Sequence, residues 1–111
     1  MEITTKLDSG ITVIYPNGRV DTSTAKAFEE GVMKIILDKE FVIISFSSIE
    51  YISSAGLRVI LMAGKKMASM KGQLALADMP EKIHEVFKMS GFDKILKIYP
   101  TLEEAKASFG K

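Results

Sequence analysis

The feature that most constrains this fold is a nearly unbroken apolar run at the centre of the chain, residues 41–46, with the sequence FVIISF. Apart from Ser45 the run is apolar, and it is rich in β-branched residues, which favour strands. Strands that are apolar on both faces are typical of parallel sheets with helices packed on each side. The run therefore predicts a central strand of an α/β domain.

Helical and strand patterns alternate on either side of this run. Turn residues such as Asp8, Ser9 and Gly10 separate short apolar strands, whereas apolar residues spaced by three and four mark helices. The predicted strands cover residues 3–7, 11–15, 41–46, 73–77 and 95–99, and the predicted helices cover residues 22–39, 54–71, 78–90 and a last segment from Thr101. The order ββαβαβαβα predicts an α/β fold, with a mixed, mostly parallel sheet of about five strands and about four helices, in one domain, 1–111.

Sequence patterns predict four finer details of these strands and helices. Residues 16–18, Pro-Asn-Gly, should interrupt the second strand as a bend or bulge. Asp78 and Glu81 are spaced as a capping-box pair for the third helix, and Gly91 suits the left-handed position after it. The second helix should bury one stripe of side chains, which consists of Leu57, Ile60, Leu61, Gly64 and Ala68.

The composition argues against several classes of protein. Basic and acidic residues nearly balance, at 15 and 14, so the basic surface of a nucleic-acid-binding protein is not expected. Without cysteine the chain has no disulfide, thiol nucleophile or thiolate ligand, and we expect neither a metal nor a cofactor. The first residues lack the pattern of a signal peptide, and no apolar run approaches the roughly 20 residues of a membrane span. We therefore expect a soluble cytoplasmic protein, without membrane binding, and a monomer.

The segment after the central strand, residues 51–58 or YISSAGLR, carries the most informative side chains. A strand, a short polar turn and a helix place the Ser54 hydroxyl at a helix N-terminus. Unpaired N–H groups and the helix dipole favour a phosphate there. An ordinary N-cap at Ser53 or Ser54 explains the same residues, and caps are much commoner than phosphorylation switches. The two roles are compatible with each other.

A second turn, residues 18–23 or GRVDTS, should lie at the same edge of the sheet. Both turns follow the carboxyl ends of strands, where sites gather in open α/β sheets. If those strands are neighbours, Asp21 comes near Ser54. One outward face of the second helix carries a methionine beside an arginine, which is typical of a partner surface but also fits an ordinary solvated face. That face consists of Arg58, Met62, Lys65 and Ser69.

Two other functions require features that this sequence lacks. A serine hydrolase needs a base beside its nucleophile, yet the only histidine, His84, falls among charged residues of the third helix, and no G-x-S-x-G segment occurs. A nucleotide-binding domain usually has a Walker loop or a G-x-G-x-x-G run, and this chain has neither. We therefore expect a binding protein rather than an enzyme.

In their order and spacing, several segments resemble the STAS-domain anti-sigma factor antagonists of bacteria over essentially the whole chain. The resemblance rests on residues 18–21 (GRVD), 41–46 (FVIISF), 49–57 (IEYISSAGL), 79–92 (Met-Pro to Gly-Phe) and 99–105 (YPTLEEA). It implies the STAS fold and a partner-switching function.

In that family, the unphosphorylated antagonist binds an anti-sigma factor and thereby frees the sigma factor. The anti-sigma factor is often a serine kinase, which phosphorylates the antagonist and so releases itself, and a PP2C-type phosphatase restores the active form. Carried onto this sequence, the phosphoacceptor falls on Ser54 and the family's aspartate at the first helix falls on Asp21. The partner surface expected at this edge consists of Asp21, Thr22, Ser53, Ser54, Gly56, Arg58 and Met62.

This chain departs from the family pattern next to the acceptor. Many members have Asp-Ser-Ser-Gly where this chain has Ser53, Ser54, Ala55 and Gly56. The acidic residue before the acceptor is therefore missing, and Ser53 becomes a rival acceptor. The serine-alanine-glycine form also occurs in the family. A second function remains open, which is a STAS scaffold or relay module that binds another signalling partner without controlling a sigma factor.

Overall fold

Strands and helices alternate after an opening hairpin in the computed structural model, which describes residues 1–109. The strands are β1 (Glu2–Asp8), β2 (Ile11–Val20), β3 (Phe41–Ser45), β4 (Ile49–Ile52), β5 (Gln73–Ala77) and β6 (Lys97–Tyr99). The helices are α1 (Ala25–Ile36), α2 (Ser54–Ser69), α3 (Glu81–Ser90) and α4 (Leu102–Ala107), with a 3-10 turn at Phe92–Lys94. The α/β class and the mostly parallel sheet are confirmed.

The apolar run forms the central strand of the sheet. The strand order is β1-β2-β3-β5-β6, with β1 antiparallel to β2 and the remaining pairs parallel. Val42 and Ile44 pack into the larger core with α1, α2 and α3, whereas Ile43 belongs to a second core that includes Ala105 of α4 and Phe109. Because alternate residues of β3 enter opposite cores, the strand is apolar on both faces.

Strand β4, which the sequence patterns did not predict, pairs in parallel with the last part of β2. The first part of β2 pairs with β3, over 12–14, and β2 continues through Pro16 to Val20. The register with β4 shifts between Gly18 and Arg19, and Gly18 has a φ of 110°, a conformation that glycine adopts without strain. The expected interruption at residues 16–18 is therefore a bulge within a strand that serves two partners.

Helices α1 and α3 each begin three residues later than predicted, because hydrogen bonds and backbone conformation hold the preceding residues outside the helix. Helix α1 begins at Ala25, after a hydrogen-bonded turn, and it stops before Asp38, whose φ of 64° is left-handed. The capping box expected at Asp78 is wrong, because Asp78 also has a left-handed φ, 60°, and its Oδ2 accepts a hydrogen bond from the Ser45 hydroxyl at 3.0 Å. The left-handed Gly91 after α3 is confirmed, with a φ of 80°.

The buried stripe of α2 is rotated relative to the prediction. Leu57 and Ile60 are buried as expected, but Leu61 and Gly64 are only half-buried, and Ala68 is exposed. The helix instead buries Gly56, Leu57, Val59, Ile60, Ala63 and Met67. The half-exposed side of α2 lines a groove, which is described below.

Candidate functional site

Two turns, after β2 and after β4, lie side by side at one edge of the sheet. Val20, the last residue of β2, is in register with Ile52, the last residue of β4. The backbone N–H of Ser53 donates a hydrogen bond to the Val20 carbonyl oxygen at 2.7 Å, so the pairing continues into the turn. The Asp21 and Ser54 turns are therefore neighbours because β2 pairs with β4. The prediction had instead made the strand at 41–46 the one that leads into the Ser54 turn.

The two serines of the second turn have different roles in the local structure. Ser53 is the N-cap of α2, with φ −91° and ψ 174°, and its hydroxyl accepts a hydrogen bond from the N–H of Gly56 at 3.3 Å. Ser54 is the first residue of the helix and is exposed. Its hydroxyl makes no hydrogen bond with any residue in the described range 1–109. The N-cap is therefore Ser53, and the Ser54 hydroxyl faces solvent unpaired.

Gly56 fixes how closely α2 packs on the two strands. The residue is buried, and a Cβ at this position would lie 2.7 Å from Cγ1 of Val20 and 2.7 Å from Cγ1 of Ile52. A side chain here would therefore push the first turn of α2 away from β2 and β4. Its burial corrects the expected placement of Gly56 on the partner surface, since it shapes the site from within.

Hydrogen bonds within its own turn fix the carboxylate and the backbone of Asp21. Its Oδ1 accepts hydrogen bonds from the hydroxyl of Ser23 at 2.6 Å and from the N–H of Ser23 at 3.0 Å. The Thr24 hydroxyl accepts from the N–H of Asp21 at 2.9 Å and donates to the carbonyl oxygen of Arg19 at 2.8 Å. These donors, with the Ser23 hydroxyl foremost, hold the pKa of Asp21 below its usual value. Asp21 is therefore an ionised carboxylate in a shaped loop, with the exposed Thr22 beside it.

Arg19 and Tyr51 form an exposed pair next to these turns, and the sequence analysis did not include them in the site. They are opposite each other on β2 and β4, and the guanidinium carbon of Arg19 lies 4.5 Å from the centroid of the Tyr51 ring. The Arg19 side chain is 59% exposed, and its Nε lies 4.0 Å from Oδ2 of Asp21. A prediction of residues 49–52 (IEYI) as a strand next to β2 would have placed Arg19 and Tyr51 side by side.

The outward face of α2 continues from Ser54 along the helix. Arg58 lies one turn after Ser54 and is exposed, and Met62 lies one turn further and is half-buried. Arg58 makes no ion pair within residues 1–109. The first turn of α2 contains no acidic residue, so its N-terminus carries positive potential without a compensating side chain.

Three further observations on residues 1–109 concern metal ligands, the histidine and membrane-spanning helices. Within 1–109, no cluster of three His, Asp or Glu side chains has a geometry that holds a metal ion. His84 lies on α3, half-buried, and not in the site elements. Among these residues, no helix combines the length and the apolar composition that crossing a bilayer requires.

Replacing each serine separately by alanine should distinguish the cap from the exposed residue. Ser53→Ala removes the acceptor for the Gly56 N–H, and we expect it to lower the free energy of unfolding by about 1 kcal/mol. Ser54→Ala removes no hydrogen bond and should change it by less than about 0.5 kcal/mol. Urea unfolding measures both, and Ser53→Asp, which retains a capping oxygen, is the matched control. A larger loss in Ser54→Ala than in Ser53→Ala would contradict this assignment.

Comparison with known proteins identifies the family. A model of the STAS domain matches residues 2–105. A Bordetella bronchiseptica protein named as the anti-sigma factor antagonist BtrV is 31% identical over 110 residues, which cover 98% of this chain and 95% of that protein. The anti-sigma-F factor antagonist RsfB of Mycobacterium tuberculosis is 29% identical over 101 residues, covering 87% of this chain and 80% of RsfB. A crystal structure of a Thermotoga maritima protein, described as an anti-sigma factor antagonist, has a TM-score of 0.90 at 26% identity, with 98% of this chain and 95% of that chain covered. The chain therefore belongs to the STAS domain family and, within it, to the anti-sigma factor antagonists.

Proposed function

We propose that this chain binds an anti-sigma factor through the sheet edge formed by the Asp21 and Ser53–Ser54 turns, and so frees a sigma factor. We further propose that the anti-sigma factor is a serine kinase that phosphorylates Ser54, and that a PP2C-type phosphatase reverses the modification. The observation that carries the proposal is the exposed, unpaired hydroxyl of Ser54, at the edge where the two turns meet.

The choice of Ser54 over Ser53 follows from the hydrogen bonds. The Ser53 hydroxyl already accepts a hydrogen bond from the Gly56 N–H and the residue is half-buried, so a kinase would have to take an oxygen that is engaged in the cap of α2. The Ser54 hydroxyl has no such role, and an incoming kinase can reach it without breaking a bond within the described residues. Phosphorylation of Ser54 is therefore compatible with an intact fold.

The switch acts on the interface rather than on the fold. A phosphoserine carries about −1.5 to −2 charges near neutral pH. At the first residue of α2 it gains roughly 0.3–1 kcal/mol from the helix dipole and end N–H groups. Arg58, one turn further along the same helix, is free to pair with it. A partner surface shaped for a hydroxyl has neither the space nor the positive charge to accommodate this phosphate. A loss of about 1.4 kcal/mol of binding free energy already weakens affinity tenfold.

The remaining surface residues supply shape and charge around the acceptor. The ionised Asp21 carboxylate, fixed by Ser23 and Thr24, offers Oδ2 to a donor on the partner. Arg58 and Met62 extend the surface along α2, and Arg19 stacked on Tyr51 extends it along the strands. Arginine, tyrosine and methionine are enriched at protein interfaces, which supports their assignment to the partner surface.

Peptide-level mass spectrometry tests the proposal. The protein is incubated with ATP and, in turn, with each serine-kinase-type anti-sigma factor of its own host. We expect one added phosphate, located on Ser54, in the wild type and in Ser53→Ala, and none in Ser54→Ala. A phosphate that persists in Ser54→Ala and disappears in Ser53→Ala would move the acceptor to Ser53.

Absence of phosphate with every candidate kinase would contradict the phosphorylation switch and favour the alternative function, a STAS scaffold or relay module. Size-exclusion chromatography of the same mixtures separates the two parts of the proposal. A stable complex without phosphorylation would retain anti-sigma factor binding and remove the regulation. Loss of both complex and phosphate would remove the antagonist function itself.

A further inference from the structure

A groove lies along α2 at the end opposite Ser54, away from the edge described above. It is bounded by the second half of α2, the start of β5 and the segment that leads into β6, and its volume is about 360 Å³. Small-molecule sites typically occupy about 300–1,000 Å³, so the groove is large enough for a ligand. It shares only the helix, and no lining residue, with the Asp21 and Ser53–Ser54 turns.

The walls of the groove are mainly aliphatic. Leu61, Leu74 and Leu96 are half-buried along it, and Ile95 is 65% exposed. The α2 side is open because glycine and alanine stand at 64 and 68, where larger side chains would fill the space. Exposed aliphatic surface in a concave site is covered favourably by an aliphatic ligand, because covering it removes apolar area from water.

The two charged residues that line the groove are both lysines, and Asp93, in the segment that leads into β6, is not among the lining residues. Lys65 of α2 and Lys97 of β6 line it from two walls, and no acidic residue lines it. Within residues 1–109 neither lysine forms an ion pair. The surrounding segment from α2 through β5, residues 54–77, contains no aspartate or glutamate, although the whole chain is nearly neutral. The charge pattern is therefore complementary to a ligand with one anionic group.

We propose that this groove binds an anionic amphiphile with a single aliphatic chain. The chain lies against Leu61, Leu74 and Leu96, and the anionic head lies between Lys65 and Lys97. A carboxylate and a phosphate both meet the charge requirement, so a free fatty acid and a single-chain alkyl phosphate are the two sources of this chemistry. The site is independent of the phosphorylation proposed for Ser54.

Titration of the purified full chain with dansylundecanoic acid, followed by fluorescence, tests the proposal. We expect saturable binding at one site per chain, and displacement by dodecanoate or dodecyl phosphate. The better competitor of these two identifies the head group. The uncharged dodecanol should compete about tenfold less well, because it lacks the interaction with the lysines. Absence of saturable binding, or equal competition by dodecanol, would overturn the proposal.

Matched variants locate the binding. Ala68 is exposed and lines the groove, so Ala68→Phe should fill it and abolish binding, whereas Ala27→Phe, on the exposed surface of α1, should not. The double variant Lys65→Gln with Lys97→Gln should bind about tenfold more weakly, and Lys66→Gln, adjacent on α2 but outside the groove, should bind normally. If Ala68→Phe does not fold, the lysine variants decide the matter. Undiminished binding by the double lysine variant, or equal weakening by Lys66→Gln, would place the ligand elsewhere.

Discussion

Ser54→Asp is expected to weaken binding to the anti-sigma factor by about tenfold to a hundredfold, while the melting temperature stays close to that of the wild type. The substituted carboxylate places one negative charge where the partner meets a neutral hydroxyl, and like charges or unpaired charges at an interface cost several kcal/mol. The fold should tolerate the change, because an acidic residue in the first turn of a helix is stabilising by roughly 0.3–1 kcal/mol, and α2 has none there.

Isothermal titration with the host anti-sigma factor and a thermal melt measure the two expected effects. Asparagine has nearly the same shape as aspartate but carries no charge. If the charge causes the loss of affinity, Ser54→Asn should bind the anti-sigma factor more tightly than Ser54→Asp. The difference between these two variants should shrink at high salt, since screening weakens exposed charge interactions. Unchanged affinity in Ser54→Asp, or a large fall in its melting temperature, would contradict a switch that acts on the interface.

The order of elements could be predicted because it depends on local patterns. The run that became β3 is apolar on both faces, and the helices have apolar residues at helical spacing. Gly91 was placed correctly, since a left-handed residue after a helix favours glycine for local steric reasons. Such features depend on the neighbouring residues in sequence and require no knowledge of tertiary contacts.

Long-range contacts explain what the sequence did not reveal. Strand β4 has only four residues, its two middle residues are exposed, and it is a strand because the end of β2 pairs with it. Asp78 has the spacing of a helix cap, but its carboxylate bonds instead to Ser45, which is 33 residues earlier in the chain. Neither the strand conformation of β4 nor the hydrogen bond of Asp78 can be predicted from a local pattern, because the residues that cause them are distant in sequence.

In the candidate site, too, local patterns identified some residues, whereas long-range contacts decided their roles. The resemblance to the family indicated the Ser53–Ser54 turn and Asp21, but serine is a good N-cap at either position, so residue type did not separate the two hydroxyls. The backbone bond from Ser53 to Val20 fixes where β4 ends and therefore which serine caps α2. The Arg19–Tyr51 pair depends on the register of β2 against β4, which the sequence analysis did not include.

Gly56→Ala should be the most destabilising single-methyl change near the site. The new Cβ would lie 2.7 Å from Cγ1 of both Val20 and Ile52. These side chains are buried and β-branched, and therefore stiff, so the first turn of α2 must shift. Overpacking of this kind costs about 1–3 kcal/mol, which corresponds to a fall in melting temperature of about 5–15 °C for a domain of this size.

Gly64→Ala is the matched control on the same helix. Its Cβ would lie 3.1 Å from Cδ2 of Leu96, the flexible end of a half-buried side chain that can move aside. Because alanine is also the better helix former by roughly 1 kcal/mol, this variant should be as stable as the wild type or slightly more stable. Val20→Ala is destabilising by itself because Val20 is fully buried, but it removes the Cγ1 atom that the new Cβ would meet. Gly56→Ala combined with Val20→Ala should therefore lose less stability than the sum of the two single variants. If Gly56→Ala melts at or above the wild-type temperature, close packing of α2 on β2 and β4 is not what requires glycine at this position.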